Sequence, residues 1–369
     1  MPAPDVAIIG AGCFGLAAAW AFLDRGASVH VYEASHPGAG ASGGLIGALS
    51  PHVPENWNPK KAYQLRALLS AEPFWRAVEQ QSGQPTGYGR IGRILPLHSA
   101  AARDRAQARA ISAAQLWRTD AIWRVMGEPS GMLAEQGAEN QKDRATTQGI
   151  PGSGAFGWVH ETLSARIYPS AAMGALAAAV KARGAVFHYG RVEDPAEIAA
   201  GAVIIAAGHQ SPALCPTLPD GVLRGVKGQS ALLRADVGAR PIIFDDGIYV
   251  VPQGAYGVAV GSTSEQTWQS AISTDEGLDH CIARARHLLP ILHDAPVVAR
   301  WAGIRPRGRF PDPALGPVPG RPGQWLMTGG FKIGIGLCHT LAQDLAAMVA
   351  GETPDLPERF HLDAHLGAA

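Results

Sequence analysis

The sequence has few of the residues that mark a metal centre or a covalently stapled fold. Its four cysteines, Cys13, Cys215, Cys281 and Cys338, include no C-x-x-C pair. Zinc-ribbon spacing is therefore absent, and a disulfide framework is disfavoured for a chain of 369 residues, which can build a core without one. No cluster of His, Cys and carboxylates has metal-ligand spacing, so no metal is expected. No hydrolase triad stands out. An excess of one charge is also missing, because 31 Lys and Arg balance 31 Asp and Glu. That balance argues against nucleic acid or an anionic membrane surface as the main partner. What remains is 47% hydrophobic and 17% charged, the composition of a chain with a sizeable core, and its length suggests two or three domains.

One segment imitates a membrane element. Val6 to Leu23 is an 18-residue run without a charge, long enough for a short span. The only ionisable side chain before it is Asp5, so the positive flank of a secretory signal is lacking. Gly10, Gly12 and Gly15 also interrupt it. We expect no membrane span, reduced thiols and a cytoplasmic location.

The first 35 residues read as strand, tight turn, helix and strand. Val6–Ile9 is a continuous apolar run, as in a parallel strand buried on both faces. Leu16, Ala19, Trp20 and Leu23 follow at helical spacing, and Gly26 ends the helix. Ser28–Tyr32 is a second strand, closed by Glu33. Helices are expected over 62–81, 100–126, 171–183 and 278–289, and from the 329–330 glycines to 349. Strands are expected within 86–98, over 185–189 and 203–206, in several pieces between 226 and 260, and over 325–328. The polar stretch 127–154, punctuated by Gly and Pro, reads as a surface excursion or lid. This order predicts an α/β protein: a Rossmann-type domain assembled from 1–85, 165–222 and 301–369, with an inserted mixed β-sheet substrate domain from 86–164 and 223–300.

Gly10-Ala-Gly12-Cys13-Phe14-Gly15 is a G-x-G-x-x-G placed between a strand and a helix. The first glycine permits the turn, the second admits a pyrophosphate, and the third lets the helix pack on the strand. The helix N-terminus adds free N–H groups and partial positive charge. Glu33 closes the second strand 18 residues after Gly15, where a carboxylate accepts hydrogen bonds from ribose hydroxyls and disfavours a 2′-phosphate. The motif implies a dinucleotide but does not separate FAD from NAD. The loop Gly40-Ala41-Ser42-Gly43-Gly44 offers amides and a hydroxyl for a second pyrophosphate contact.

The GASGG loop, Val203-Ile-Ile-Ala-Ala-Gly208, Val226-Lys-Gly-Gln229, Ile248-Tyr-Val-Val-Pro252, Gly261-Ser-Thr263, Trp301-Ala-Gly-Ile-Arg-Pro306 and Thr328-Gly-Gly330 follow the fingerprint in order. This set resembles the FAD-dependent D-amino acid oxidase superfamily, near its glycine oxidase and sarcosine oxidase branches. The stretch GASGGLIGALSPH is also similar to the flavin domain of the bifunctional tRNA-modifying enzyme that oxidises a carboxymethylaminomethyl group. The resemblance covers 5–360, weakly over 99–155.

The resemblance implies noncovalent FAD that takes hydride from the carbon next to an amine, giving an imine that hydrolyses. It places the cofactor against the fingerprint residues, Glu33 and Ala34, and Ala41, Ser42, Gly43, Gly44, Ile46, Gly47 and Ala48 of the loop. It adds Val192, Ala207, Gly208 and Gly303, and Gly330, Phe331, Lys332, Ile333, Gly334 and Ile335, whose helix would stabilise charge on the reduced flavin. Arg305 is implied as the grip on a substrate carboxylate, Tyr249 as its hydroxyl partner, and Lys332 as a third catalytic position. Gly247 stands where the glycine oxidase pattern has His, and Lys332 where it has Arg, which suggests an altered pocket. Ala259 stands where the sarcosine oxidase branch has its oxygen-activating Lys. No cysteine lies where that branch attaches its flavin. His52, after the flavin loop, is read as structural. The reading is an oxidase or dehydrogenase of an amino acid or N-substituted glycine, and an oligomer is compatible with it. A tRNA-modifying flavoprotein and a non-catalytic FAD-carrying subunit are the alternatives.

Overall fold

The computed structural model describes residues 3–127 and 156–367. Six strands form one sheet in the order Ala314–Pro317, Gln324–Thr328, Ala202–Ile205, Val6–Ile9, Val29–Glu33, Val186–Tyr189. All neighbours are parallel except the first pair. Val6–Ile9 is central and buried at every residue, because helices cover both faces of such a sheet. Ile8 lies level with Ile204 on one side and Val31 on the other.

The Cys13–Asp24 helix explains the uncharged run. Its residues Cys13–Ala19 are all buried, so a helix apolar all round is sandwiched in the protein interior, between the sheet and the Gly334–Val349 and Pro169–Ala182 helices. No described helix is long and apolar enough to cross a membrane. The Pro59–Ser82 helix begins with the Asn58 side chain accepting the Lys61 N–H and ends at Gly83 with φ 66°.

A second, eight-stranded sheet runs in the order Val297–Gly308, Leu223–Leu233, Val258–Gly261, Ile248–Pro252, Ile242–Asp245, Arg93–Pro96, Trp158–Glu161, Trp123–Met126. The amphipathic Glu276–Leu288 helix packs Leu278, Ile282 and Ala285 on one face of it. A small sheet joins Ala48–Leu49, Ala165–Arg166 and Gly89–Arg90.

One expectation needs correction. The helix read over 100–126 stops at Leu116. Trp123–Met126 is instead an edge strand beside Trp158–Glu161, and the Trp117 and Trp123 rings meet edge to face at 6.0 Å. An Ala-rich helical pattern extends into such a segment on paper, but long-range pairing overrides local propensity. The boundary placed at 301 falls inside the Val297–Gly308 strand, which stays paired with Leu223–Leu233 to its end. Alternating charged residues, glycine and proline hid that strand. The stretch read as a lid lies almost wholly outside the described residues.

Candidate active site

A cleft of about 750 Å³ runs from the C-terminal end of the Val6–Ile9 strand to the eight-stranded sheet. That is large on the ~300–1,000 Å³ scale of ligand sites. At one end the chain leaves the strand through Gly10, whose φ is +105° and whose Cβ, if it had one, would lie 2.6 Å from the Ala206 carbonyl oxygen. A Cβ at Gly15 would meet the Gly10 carbonyl oxygen at 1.8 Å, so this glycine brings the helix onto the turn. The Cys13 N–H at the helix start donates to the Ser42 hydroxyl oxygen at 3.0 Å, which ties the two glycine loops together. Burial pushes the Cys13 thiol up to about 11, so it is a packing group and no nucleophile. Glu33 lines the cleft and accepts the Ala11 N–H at 2.8 Å and the Ser35 N–H at 2.9 Å.

These features fit a dinucleotide with a pyrophosphate. Gly10 and Gly12 line the cleft without a side chain, a helix N-terminus faces it, and a carboxylate stands at the end of the second strand. The start of the Gly334–Val349 helix presents a second positive end to the same cleft through Gly334, Ile335 and Gly336.

At the other end, Arg305 comes from the Val297–Gly308 strand, opposite Val226. Its guanidinium lies over Gly228 of the neighbouring strand, where an added Cβ would be 2.1 Å from Cζ, Nη1 and Nη2. Nη1 donates to the Thr263 carbonyl oxygen at 3.2 Å and Nη2 to the Ser262 hydroxyl oxygen at 3.0 Å. Among the described residues Arg305 has no ion pair. Burial lowers its pKa, and Glu265 opposes that change. Glu265 itself is taken up by Lys227 at 3.3 Å and by the Gln229 amide at 2.9 Å. The Lys227-Gly228-Gln229 motif thus forms the floor and the rear brace of Arg305. Tyr249 pairs with Gly261 one strand over, next to Ser262, and its ring packs on Phe244 at 4.4 Å. Lys332 follows Phe331, whose N–H donates to the Pro306 carbonyl oxygen at 3.0 Å, so the loop lies against the arginine's own strand. Burial, and then Arg305, lower the Lys332 pKa.

All three expected catalytic residues line this one cleft. Among the expected cofactor positions only Gly15, Gly43 and Gly44 do not. Gly15 and Gly43 serve close backbone approach, with an added Cβ at Gly43 only 2.2 Å from the Gly38 carbonyl oxygen. Gly44 lies under the Trp301 indole. His52 lines the cleft with its backbone N–H and its ring both on the Gln64 side-chain oxygen, and burial lowers its pKa, as befits a structural group. Sequence reasoning missed Arg93. It is 4% exposed, lines the cleft, and donates through Nε to the fully buried Glu161 at 3.0 Å. An isolated Arg in an apolar strand carries no signal of its own, since its partner is 68 residues away.

A family model for FAD dependent oxidoreductases, DAO, matches residues 5–348. The chain belongs to this family. DAO proteins of known activity resemble it along its length. Glycine oxidase of Geobacillus kaustophilus is 27% identical over 98% of this chain and 97% of its own. The crystal structure of glycine oxidase from that organism superposes with a TM-score of 0.83 at 22% identity, covering 98% of this chain and 99% of the other. Iminodiacetate oxidase from Chelativorans sp. BNC1 gives 0.80 at 22% identity over 96% and 98%. The tRNA 5-methylaminomethyl-2-thiouridine biosynthesis bifunctional protein of Thiobacillus denitrificans is 28% identical over 94% of this chain but only 56% of its own length. The DAO cofactor is FAD, and the glycine turn, Glu33 and the Ser42 loop are the residues that would hold it.

Proposed function

We propose that this FAD-dependent oxidoreductase oxidises the C–N bond of a small α-amino acid or N-substituted glycine. The observation that carries the proposal is Arg305, a half-buried guanidinium in the cleft whose direct partners are neutral oxygens only. A desolvated cation seeks an anion, and a planar fork suits a carboxylate. The identity of the relatives supports the same reading.

Bound FAD would supply a two-electron acceptor for hydride from the substrate carbon. The substrate C–H bond would break with its hydride passing to that acceptor, the nitrogen lone pair would form the C=N bond of an iminium that keeps its N–H, and water would then split the iminium into a carbonyl compound and a protonated amine. The protein's part is alignment. Arg305 holds the carboxylate through parallel N–H bonds while Ser262 and Thr263 fix its plane. The Tyr249 hydroxyl, across from Gly261, donates to the same group. Trp301, Ile304 and Met327 line the cleft and keep water from the reacting carbon. The amine must react as the neutral species, because its nitrogen lone pair takes up the positive charge left when hydride departs.

An anaerobic titration with amino acids and N-alkyl glycines, followed by loss of flavin absorbance, tests this. Bleaching by amines with an adjacent carboxylate is expected. Bleaching only by amines that lack one would refute the reading.

A further inference from the structure

The substrate end of the cleft has an unbalanced charge. Arg93, Arg305 and Lys332 all line it. Arg93 is neutralised by Glu161. Arg305 and Lys332 are not: neither has an ion pair among the described residues, and the loop carrying one is hydrogen-bonded to the strand carrying the other. The lining holds a single carboxylate, Glu33, at the end of the Val29–Glu33 strand, with both oxygens engaged by backbone N–H groups. Glu265 lies behind Arg305, outside the lining, and is committed to Lys227, Gln229 and Thr263.

Two cations in one cleft repel each other, and for the half-buried Arg305 burial adds to the cost of an unpaired charge. The mutual effect is visible in Lys332, whose pKa is lowered by burial and then by Arg305. One carboxylate placed on Arg305 would discharge one of the two. The charge on Lys332, which lines the same cleft and is exposed in the free protein, would remain unpaired. A second anionic group on the substrate would give it a partner.

We propose that the substrate is an amino dicarboxylate: its first carboxylate lies on Arg305 and its second on the Lys332 ammonium, which makes Lys332 a specificity-determining residue. This rests on the proposed C–N oxidation of a carboxylate-bearing amine and names its substrate class. The second carboxylate can sit on the nitrogen substituent or on the side chain, and the test separates the two.

The holoenzyme is assayed anaerobically with iminodiacetate against sarcosine, and with both enantiomers of aspartate and glutamate against alanine. In parallel, binding of the non-oxidisable sulfides thiodiacetate and (methylthio)acetate is read from their perturbation of the flavin spectrum. At least one dicarboxylate should exceed its monocarboxylate counterpart about tenfold or more in kcat/KM, and thiodiacetate should bind more tightly than (methylthio)acetate. Lys332→Met should lower kcat/KM for the preferred dicarboxylate about 30-fold or more, the low end of the loss when one partner of a charge pair is removed, because the bound substrate encloses a pair whose lysine is exposed in the free protein. Its loss on the monocarboxylate should be at least tenfold smaller, and Lys332→Arg should restore most of the preference. Binding of the dicarboxylate analogue should weaken in parallel.

If monocarboxylates are oxidised as well as every dicarboxylate, or if Lys332→Met reduces both equally, the inference falls while the C–N oxidation stands. Lys332 would then serve the cofactor or the shared carboxylate. If no carboxylate-bearing amine bleaches the flavin, the proposed function falls. The binding arm still decides the inference in that case, and equal affinity for the mono- and dicarboxylate sulfides overturns it.

Discussion

Replacing Gly228 by alanine isolates the seat of the Arg305 guanidinium. An alanine Cβ would stand 2.1 Å from Cζ and both terminal nitrogens, and ordinary contact begins near 3.4 Å, so the head must retreat by about 1.3 Å. It is the free end of a flexible side chain, and the strand need not move. Displacement of that size breaks the bonds to Thr263 and Ser262, now 3.2 and 3.0 Å long. A misplacement of about 1 Å at a positioning group costs roughly 100-fold in rate. Gly228→Ala should therefore lower kcat/KM for a carboxylate substrate by about 100-fold, with a native flavin spectrum. Alanine in a strand interior is not itself unfavourable, so stability should change by less than about 1 kcal/mol. Steady-state kinetics and urea unfolding on the same preparation supply both numbers. A kcat/KM within about threefold of wild type would refute the reasoning, because threefold is only ~0.65 kcal/mol. An equal loss with an amine lacking a carboxylate would refute it too, since that loss could not pass through Arg305.

Arg305→Ala should cost about 30- to 5,000-fold in kcat/KM, and Arg305→Lys should recover only part of it because a point charge does not reproduce the fork; steady-state kinetics with a carboxylate substrate measures both. Glu33→Ala should weaken FAD by about 1.5–3 kcal/mol, roughly 10- to 160-fold, in a titration of the apoprotein. Glu161→Ala strands the buried Arg93 and removes an acceptor from the Leu163 and Ser164 N–H groups at 2.8 and 3.0 Å, so unfolding free energy should fall by about 3–5 kcal/mol in urea. The ratio of dicarboxylate to monocarboxylate kcat/KM should be constant while Lys332 is charged and fall as pH rises through its lowered pKa, below the ordinary lysine value of 10.5. In Lys332→Arg the fall should disappear from the measurable range, and a ratio that rises with pH would contradict the assignment.

The cofactor half of this protein is written locally in the sequence. A buried strand, three glycines at fixed spacing, a helix and an acidic residue at the next strand's end are all contained in about 30 residues, and each has a steric or electrostatic cause independent of the remaining chain. The glycines of that turn are legible because their neighbours in sequence are also their neighbours in space. The substrate end is different. Gly228, Ser262, Arg305 and Lys332 belong to four separate segments, and only the pairing of the eight-stranded sheet and the Phe331–Pro306 hydrogen bond bring them together. Resemblance singled out Arg305 and Lys332, but not that both would lack an ion pair among the described residues, nor that Arg93 would be neutralised by Glu161. Those facts are sums over partners distant in sequence, and a side chain's charge environment has no local signature. The same holds for Trp123, which a helical pattern claims and an edge strand takes. Sequence alone determined the glycine turn and the acidic strand end beside it, because a backbone turn is a local object. Tertiary structure decided which charges share the cleft, because electrostatic balance is set by the groups that folding collects around one point.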